Sequence, residues 1–100
     1  MEIINKNNSA RIILDEKFDL TNAEEIKKQF LILIEKDIID ITLDFKNVEE
    51  IDSAGFGKIL LFNKIINENE GELVIENVNS SYVKNVFNML DLYEIIDIKE

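Results

Sequence analysis

The sequence contains no histidine, no cysteine and no proline, and only 3 of its 100 residues are glycine. Without histidine there is no imidazole general base, no Ser-His nucleophile pair and no phosphohistidine relay, and most zinc sites are excluded. Without cysteine there is no disulfide, no thiolate nucleophile and no thiolate metal ligand, a composition suited to a reducing compartment. Arg11 is the only arginine, so no arginine cluster can grip a substrate phosphate. Carboxylates and lysines remain, but an active site needs convergent, activated groups. The chain therefore reads as a non-enzyme.

Acidic residues dominate what is present: 21 Asp and Glu against 11 Lys and Arg, a formal net charge of −10. Such a surface repels nucleic-acid phosphates and anionic membranes; it suits a basic partner, and solubility alone would equally explain it. A hydrophobic fraction of 46% and a charged fraction of 32% are those of a globular protein with one core, so residues 1–100 are expected to form one domain. The longest apolar zone, Phe30 to Ile41, is broken by Glu35-Lys36-Asp37 and falls short of the roughly 20 residues of a membrane span. The first residues lack the basic-then-apolar pattern of a secretion signal, so a cytoplasmic location is expected.

Periodicity divides the chain. Glu2–Asn5 and Ala10–Asp15 read as two strands of a hairpin around Lys6-Asn7-Asn8-Ser9. Thr21-Asn22-Ala23-Glu24 reads as a capping box, followed by Ala23, Ile26, Phe30, Leu33 and Ile34 at helical spacing to about Lys36. Ile39, Ile41, Leu43 and Phe45 alternate with Asp40, Thr42 and Asp44, the period of a strand with one buried face. Beyond residue 53, Ile59, Phe62 and Ile66 form a helical stripe with Phe56 alongside, while Leu61 lies almost opposite it. Gly71 is expected to end that helix in a left-handed turn. Leu73-Val74-Ile75 reads as a short strand. Asn79-Ser80-Ser81 then starts a helix whose core stripe is Tyr82, Val83, Val86, Phe87 and Leu90. Ile95, Ile96 and Ile98 suit a final short strand. The order β-β-α-β-α-β-α-(β) predicts an α/β domain with a mixed, mostly parallel sheet of about four to five strands packed by helices.

The most informative stretch is Ile51-Asp52-Ser53-Ala54-Gly55-Phe56-Gly57. It places a serine hydroxyl at a helix N-terminus, where backbone N–H groups and the helix dipole favour a phosphate. It also lies where function gathers in open α/β sheets, beyond the carboxyl end of a strand. Two glycines so close to a helix start weaken the helix by about 1 kcal/mol each relative to alanine. Such a sequence leaves backbone bare or closely approached. Alternatively, Ser53 serves as an ordinary N-cap. Glu49, Glu50 and Asp52 make an acidic cluster beside it. Read as solvated loop carboxylates they need no partner, and a divalent metal site would require further oxygens from Asp15 or Asp19. Leu61 is a candidate contact for a partner approaching Ser53. Gly55-Phe56-Gly57 fails as a dinucleotide fingerprint because Leu60 occupies the third glycine position. Gly57-Lys58-Ile59 fails as a phosphate loop because Ile59 stands where a Ser or Thr would hold magnesium.

On the Asp52-Ser53-Ala54-Gly55-Phe56-Gly57 motif the chain resembles the STAS domain family, specifically the bacterial anti-anti-sigma factors, or anti-sigma factor antagonists. The approach from Leu43 to Ile51, the run from Val83 to Leu92 and the Phe18-Asp19 pair are similar to the same family's patterns. The resemblance implies a STAS-type fold, with Ser53 as the serine phosphorylated by a partner anti-sigma factor, an ATP-dependent serine kinase. It implies a partner-binding surface comprising Asp19, Asp52, Ser53, Ala54, Gly55, Phe56 and Gly57, no cofactor, no metal and no catalytic residue. Unphosphorylated, such a protein binds the anti-sigma factor and frees the sigma factor; phosphorylation ends the binding and a PP2C-type phosphatase restores it. Phe56 replaces the usual leucine, and Asp91 stands at a position often held by glycine, where Asp tolerates left-handed geometry. Two alternatives remain open: a STAS scaffold or adaptor in another partner-switching or stressosome-like assembly, and a small ligand-binding or catalytic α/β domain using Asp19, Asp52 and Ser53.

Overall fold

The computed structural model describes residues 1–99. Strands β1 (Glu2–Lys6) and β2 (Ser9–Ile13) form an antiparallel hairpin, with Lys6 paired to Ser9 across a two-residue turn. Asn7 takes the left-handed conformation there, which asparagine tolerates better than most residues. Helix α1 (Ala23–Glu35) then crosses to β4 (Asp40–Asp44), α2 (Ser53–Glu68) to β6 (Glu72–Glu76), and α3 (Ser81–Met89) with a 3₁₀ turn (Leu92–Glu94) to β7 (Asp97–Lys99). The main sheet runs β1-β2-β4-β6-β7, with β2, β4, β6 and β7 mutually parallel. This is the expected mixed, mostly parallel arrangement, at five strands. Two dipeptide strands absent from the sequence reading, β3 (Lys17–Phe18) and β5 (Glu50–Ile51), make a separate parallel pair. They are too short to carry a period.

The core lies between the helices and one face of the main sheet. Ala23, Ile26, Phe30 and Leu33 of α1 are buried at the expected spacing, as are Ile59, Phe62 and Ile66 of α2. The Phe30 and Phe62 rings stack with centroids 4.1 Å apart and join the two helices. Glu24 and Lys58 pair at 2.8 Å beside that contact.

Four local expectations are corrected. The capping box does not form, because its side chains have other partners: the Thr21 hydroxyl donates to Asp19, Glu24 reaches Lys58, and α1 starts after Asn22 without a side-chain cap. Gly71 does not supply the left-handed residue; Glu70 does, at φ 60°. Glycine is nonetheless needed at 71, since a Cβ would stand 2.2 Å from the Ile39 carbonyl oxygen. On α3 only Val83 and Phe87 are fully buried, while Tyr82 and Leu90 are exposed. Asp44 faces no solvent: it is 2% exposed, on the sheet face opposite the helices.

Asp44 is buried because a network surrounds it. Its carboxylate accepts from Arg11 Nη1 at 2.8 Å, from Asn77 Nδ2 at 3.0 Å and from the Lys46 amide at 2.9 Å. Arg11 also reaches Glu76 at 2.7 Å. Burial pushes the Asp44 carboxyl up, but the bonds from Asn77, the Lys46 N–H and Arg11 outweigh it and hold the group below the usual carboxylate range. These contacts pin the carboxyl ends of β4 and β6, from which the chain leaves for Ser53 and for α3.

Candidate functional site

The loop after β4 returns through β5 to the start of α2, and β5 lies beside β3. Lys17 pairs with Glu50 and Phe18 with Ile51, while the Glu49 amide donates to the Glu16 carbonyl at 2.7 Å and the Asp52 amide to that of Phe18 at 3.3 Å. This small ladder brings the segment before α1 against the segment before α2. Phe18 and Ile51 are buried, so both segments are fixed from below.

Asp52, not Ser53, caps α2. Its backbone is extended, and its Oδ1 accepts from the Gly55 amide at 3.0 Å. Its Oδ2 accepts from the Leu20 amide at 3.1 Å, so one carboxylate ties the helix start to the turn before α1. The Gly55 N–H bond, joined against desolvation by the Leu20 and Ala54 amides, holds the Asp52 carboxyl below its usual range. With the cap position taken, Ser53 is the first residue of the helix. It is exposed, and its hydroxyl has no hydrogen-bond partner among the described residues.

The two motif glycines serve different ends. A Cβ on Gly55 would lie 2.1 Å from the Phe18 carbonyl oxygen, so the helix can approach β3 only with glycine there. A Cβ on Gly57 would meet nothing within 4 Å. Packing does not require Gly57; one turn beyond Ser53, it leaves a bare strip of helix surface.

Two shallow depressions flank Asp52. One, of about 570 Å³, is lined by Asp19, Glu49, Glu50, Ile51, Asp52 and Tyr82. Four of these six are carboxylates and none is Lys or Arg. Lys17 stands nearby, 3.8 Å from Glu50. The other, of about 450 Å³, is mainly apolar, with Phe56, Tyr82, Val86 and Leu90 facing Asp52, Ser53 and Gly57. Asp19, Asp52, Ser53, Phe56 and Gly57 are thus gathered around one helix start, with Gly55 buried beneath them and Ala54 partly buried against the core. Leu61 lines neither depression and is half-buried; Leu60 is the exposed leucine on α2. Asp15, weighed with Asp19 as a metal ligand, instead pairs with the Met1 amino group at 2.6 Å. Among the described residues no three Asp or Glu side chains are placed to hold one metal ion.

Tyr82, Val86 and Leu90 lie four residues apart beside the buried Val83 and Phe87; Val86 is partly buried against the core, while Tyr82 and Leu90 are exposed. Two adjacent apolar stripes are wider than one helix contact needs, and that excess was the signal for a surface groove. Leu20, at 78% exposure beside Asp52, had no signal at all.

Similarity to known proteins agrees with the fold. The STAS domain family model matches residues 3–100. The structure of TM1081 from Thermotoga maritima, a proposed anti-sigma factor antagonist, superposes with a TM-score of 0.90 at 24% identity, over 99% of this chain and 85% of that one. The anti-sigma factor antagonist SpoIIAA in its unphosphorylated form gives 0.77 at 15% identity, over 99% and 86%. The phosphorylated form of the Bacillus SpoIIAA gives 0.77 at 18%, over 97% and 88%. At these identities the superpositions speak to the fold, and it is the family match over nearly the whole sequence that assigns membership: the chain belongs to the STAS domain family.

Proposed function

We propose that this STAS domain is an anti-sigma factor antagonist, a binding module and not an enzyme, that is switched off by phosphorylation at Ser53. The free, exposed hydroxyl of Ser53 carries this reading, because Asp52 already fills the cap position that would otherwise explain the serine. In the unphosphorylated state Asp19, Asp52, Ser53, Ala54, Phe56 and Gly57 contribute to the surface that binds an anti-sigma serine kinase, with Gly55 packed beneath them, and the sigma factor is released. The kinase supplies the base, ATP and magnesium. A bond forms from Ser53 Oγ to the γ-phosphorus as the bond to ADP breaks, and the hydroxyl proton passes to the kinase.

The new group adds about −1.5 to −2 charge at pH 7. The positive end of the α2 dipole favours it locally, so the domain keeps its fold. That both forms of SpoIIAA superpose equally well on this chain supports a switch without refolding. In the complex, however, the dianion must be desolvated beside Asp52 and close to Asp19, Glu49 and Glu50. Repulsion and desolvation then end the binding, and about 2.8 kcal/mol suffices for a hundredfold loss of affinity. A PP2C-type phosphatase resets the switch, and all of this takes place in the cytoplasm. No described helix is long and apolar enough to cross a membrane.

Affinity capture from cell extract with ATP, comparing wild type with Ser53→Asp, tests the proposal. Retention of a serine kinase by wild type alone, with phosphate gained on Ser53, is the expected result. Identical retained proteins with Ser53 unmodified would leave a STAS scaffold in its place.

A further inference from the structure

Leu20 is the most exposed large apolar side chain among the described residues, at 78%. A single exposed leucine is ordinary. What sets this one apart is the way the chain holds it. Asn22 Oδ1 accepts from the Asp19 amide at 3.0 Å, and Asn22 Nδ2 donates to the Lys17 carbonyl at 2.6 Å. Asp19 Oδ1 accepts from both the Thr21 amide, at 3.0 Å, and the Thr21 hydroxyl, at 2.5 Å. The Leu20 amide itself donates to Asp52 from across the site. Polar side chains within the turn and one beyond it fix the backbone around an apolar tip that nothing covers. An anchor fixed before binding loses little conformational freedom on binding, the condition under which it contributes most.

Its surroundings indicate what receives it. The neighbours on either side, Asp19 and Asp52, line the depression that holds four carboxylates and no cation, and Asp52 also borders the groove containing Ser53. Charge complementarity selects a partner surface bearing Lys or Arg.

We propose that Leu20 is an apolar anchor of the interface with the serine kinase, entering an apolar pocket that basic kinase residues border, and that Asp52 is the residue that positions it. This rests on the phosphorylation-switch reading above, and it adds a specificity-determining residue to that surface.

The test measures affinity for the serine kinase retained by wild type, purified with ADP, across a set of variants. Leu20→Ser weakens binding by about tenfold or more while the thermal midpoint stays that of wild type, and Leu20→Met stays within about threefold. Asparagine at 52 can still cap Gly55 through its oxygen, but its NH₂ cannot accept from Leu20. Asp52→Asn therefore weakens binding in the wild-type background, and much less so when Leu20→Ser is already present. Leu20→Ser binding within about twofold of wild type overturns the anchor, and full additivity of the two substitutions overturns the positioning role of Asp52. Ser53→Asp separates the two readings. If Ser53→Asp binds as wild type, or wild type binds no kinase, the switch falls and the anchor with it; if Ser53→Asp fails to bind while Leu20→Ser binds normally, only the anchor falls.

Discussion

The Asp52 carboxylate accepts from the Gly55 amide at 3.0 Å and so frees the adjacent Ser53 hydroxyl from any structural duty. The same carboxylate holds the Leu20 amide. Asp52→Ala should lower the thermal midpoint, because both the cap and the tie to the turn before α1 are lost. Ser53→Ala should leave the midpoint close to wild type, since its hydroxyl bonds no described residue. A thermal melt of the two variants separates the roles; a larger loss for Ser53→Ala would reverse the assignment.

The two motif glycines should respond in opposite directions. Gly57→Ala places a methyl group in open space and removes a helix-interior glycine, so the domain should gain up to about 1 kcal/mol. Gly55→Ala drives a Cβ into the Phe18 carbonyl and should lose about 3 kcal/mol. Urea unfolding of both variants measures this. If Gly57 keeps the helix surface bare for a partner, Gly57→Ala should also weaken kinase binding despite the added stability.

Asp44 gives the fold an acid limit. Its folded carboxyl lies below the unfolded value of about 3.9, so its stabilisation is full above that value and is lost as pH falls through the folded one. Asp44→Asn should cost about 2 kcal/mol at pH 7, through the loss of charge-assisted bonds around Arg11. The difference from wild type should shrink as the pH drops below about 4. Denaturant unfolding from pH 7 to pH 3 checks both the size and the direction.

How much of this was legible in the sequence depended on range. The stripe from Ala23 to Leu33 and the alternation from Ile41 to Phe45 are local patterns, and each appears where its period places it; Ile39 precedes β4 and is only half-buried, Ile38 being the buried neighbour. Asp91 takes the left-handed conformation anticipated for it, at φ 54°. Contacts between distant segments were hidden. Asp44 read as a solvent-facing residue because its partner Arg11 lies 33 positions away. Gly71 read as a turn residue because the crowding Ile39 carbonyl belongs to another segment. Thr21 and Glu24 matched a local motif, but tertiary partners claimed both side chains. At the site, the motif residues were found and their companions were not. Leu20 has no periodic signal, and the core stripe read for α3 includes Tyr82 and Leu90, whereas only Val83 and Phe87 are fully buried there and Val86 partly so.

The most direct single measurement is calorimetric titration of the serine kinase with the chain in two forms, unmodified and quantitatively phosphorylated on Ser53, with circular dichroism of each form alongside. An electrostatic switch at the interface requires a loss of affinity of about a hundredfold or more on phosphorylation, with unchanged secondary structure and an unchanged or slightly raised thermal midpoint. Equal affinities for the two forms, or unfolding of α2 on phosphorylation, would contradict it.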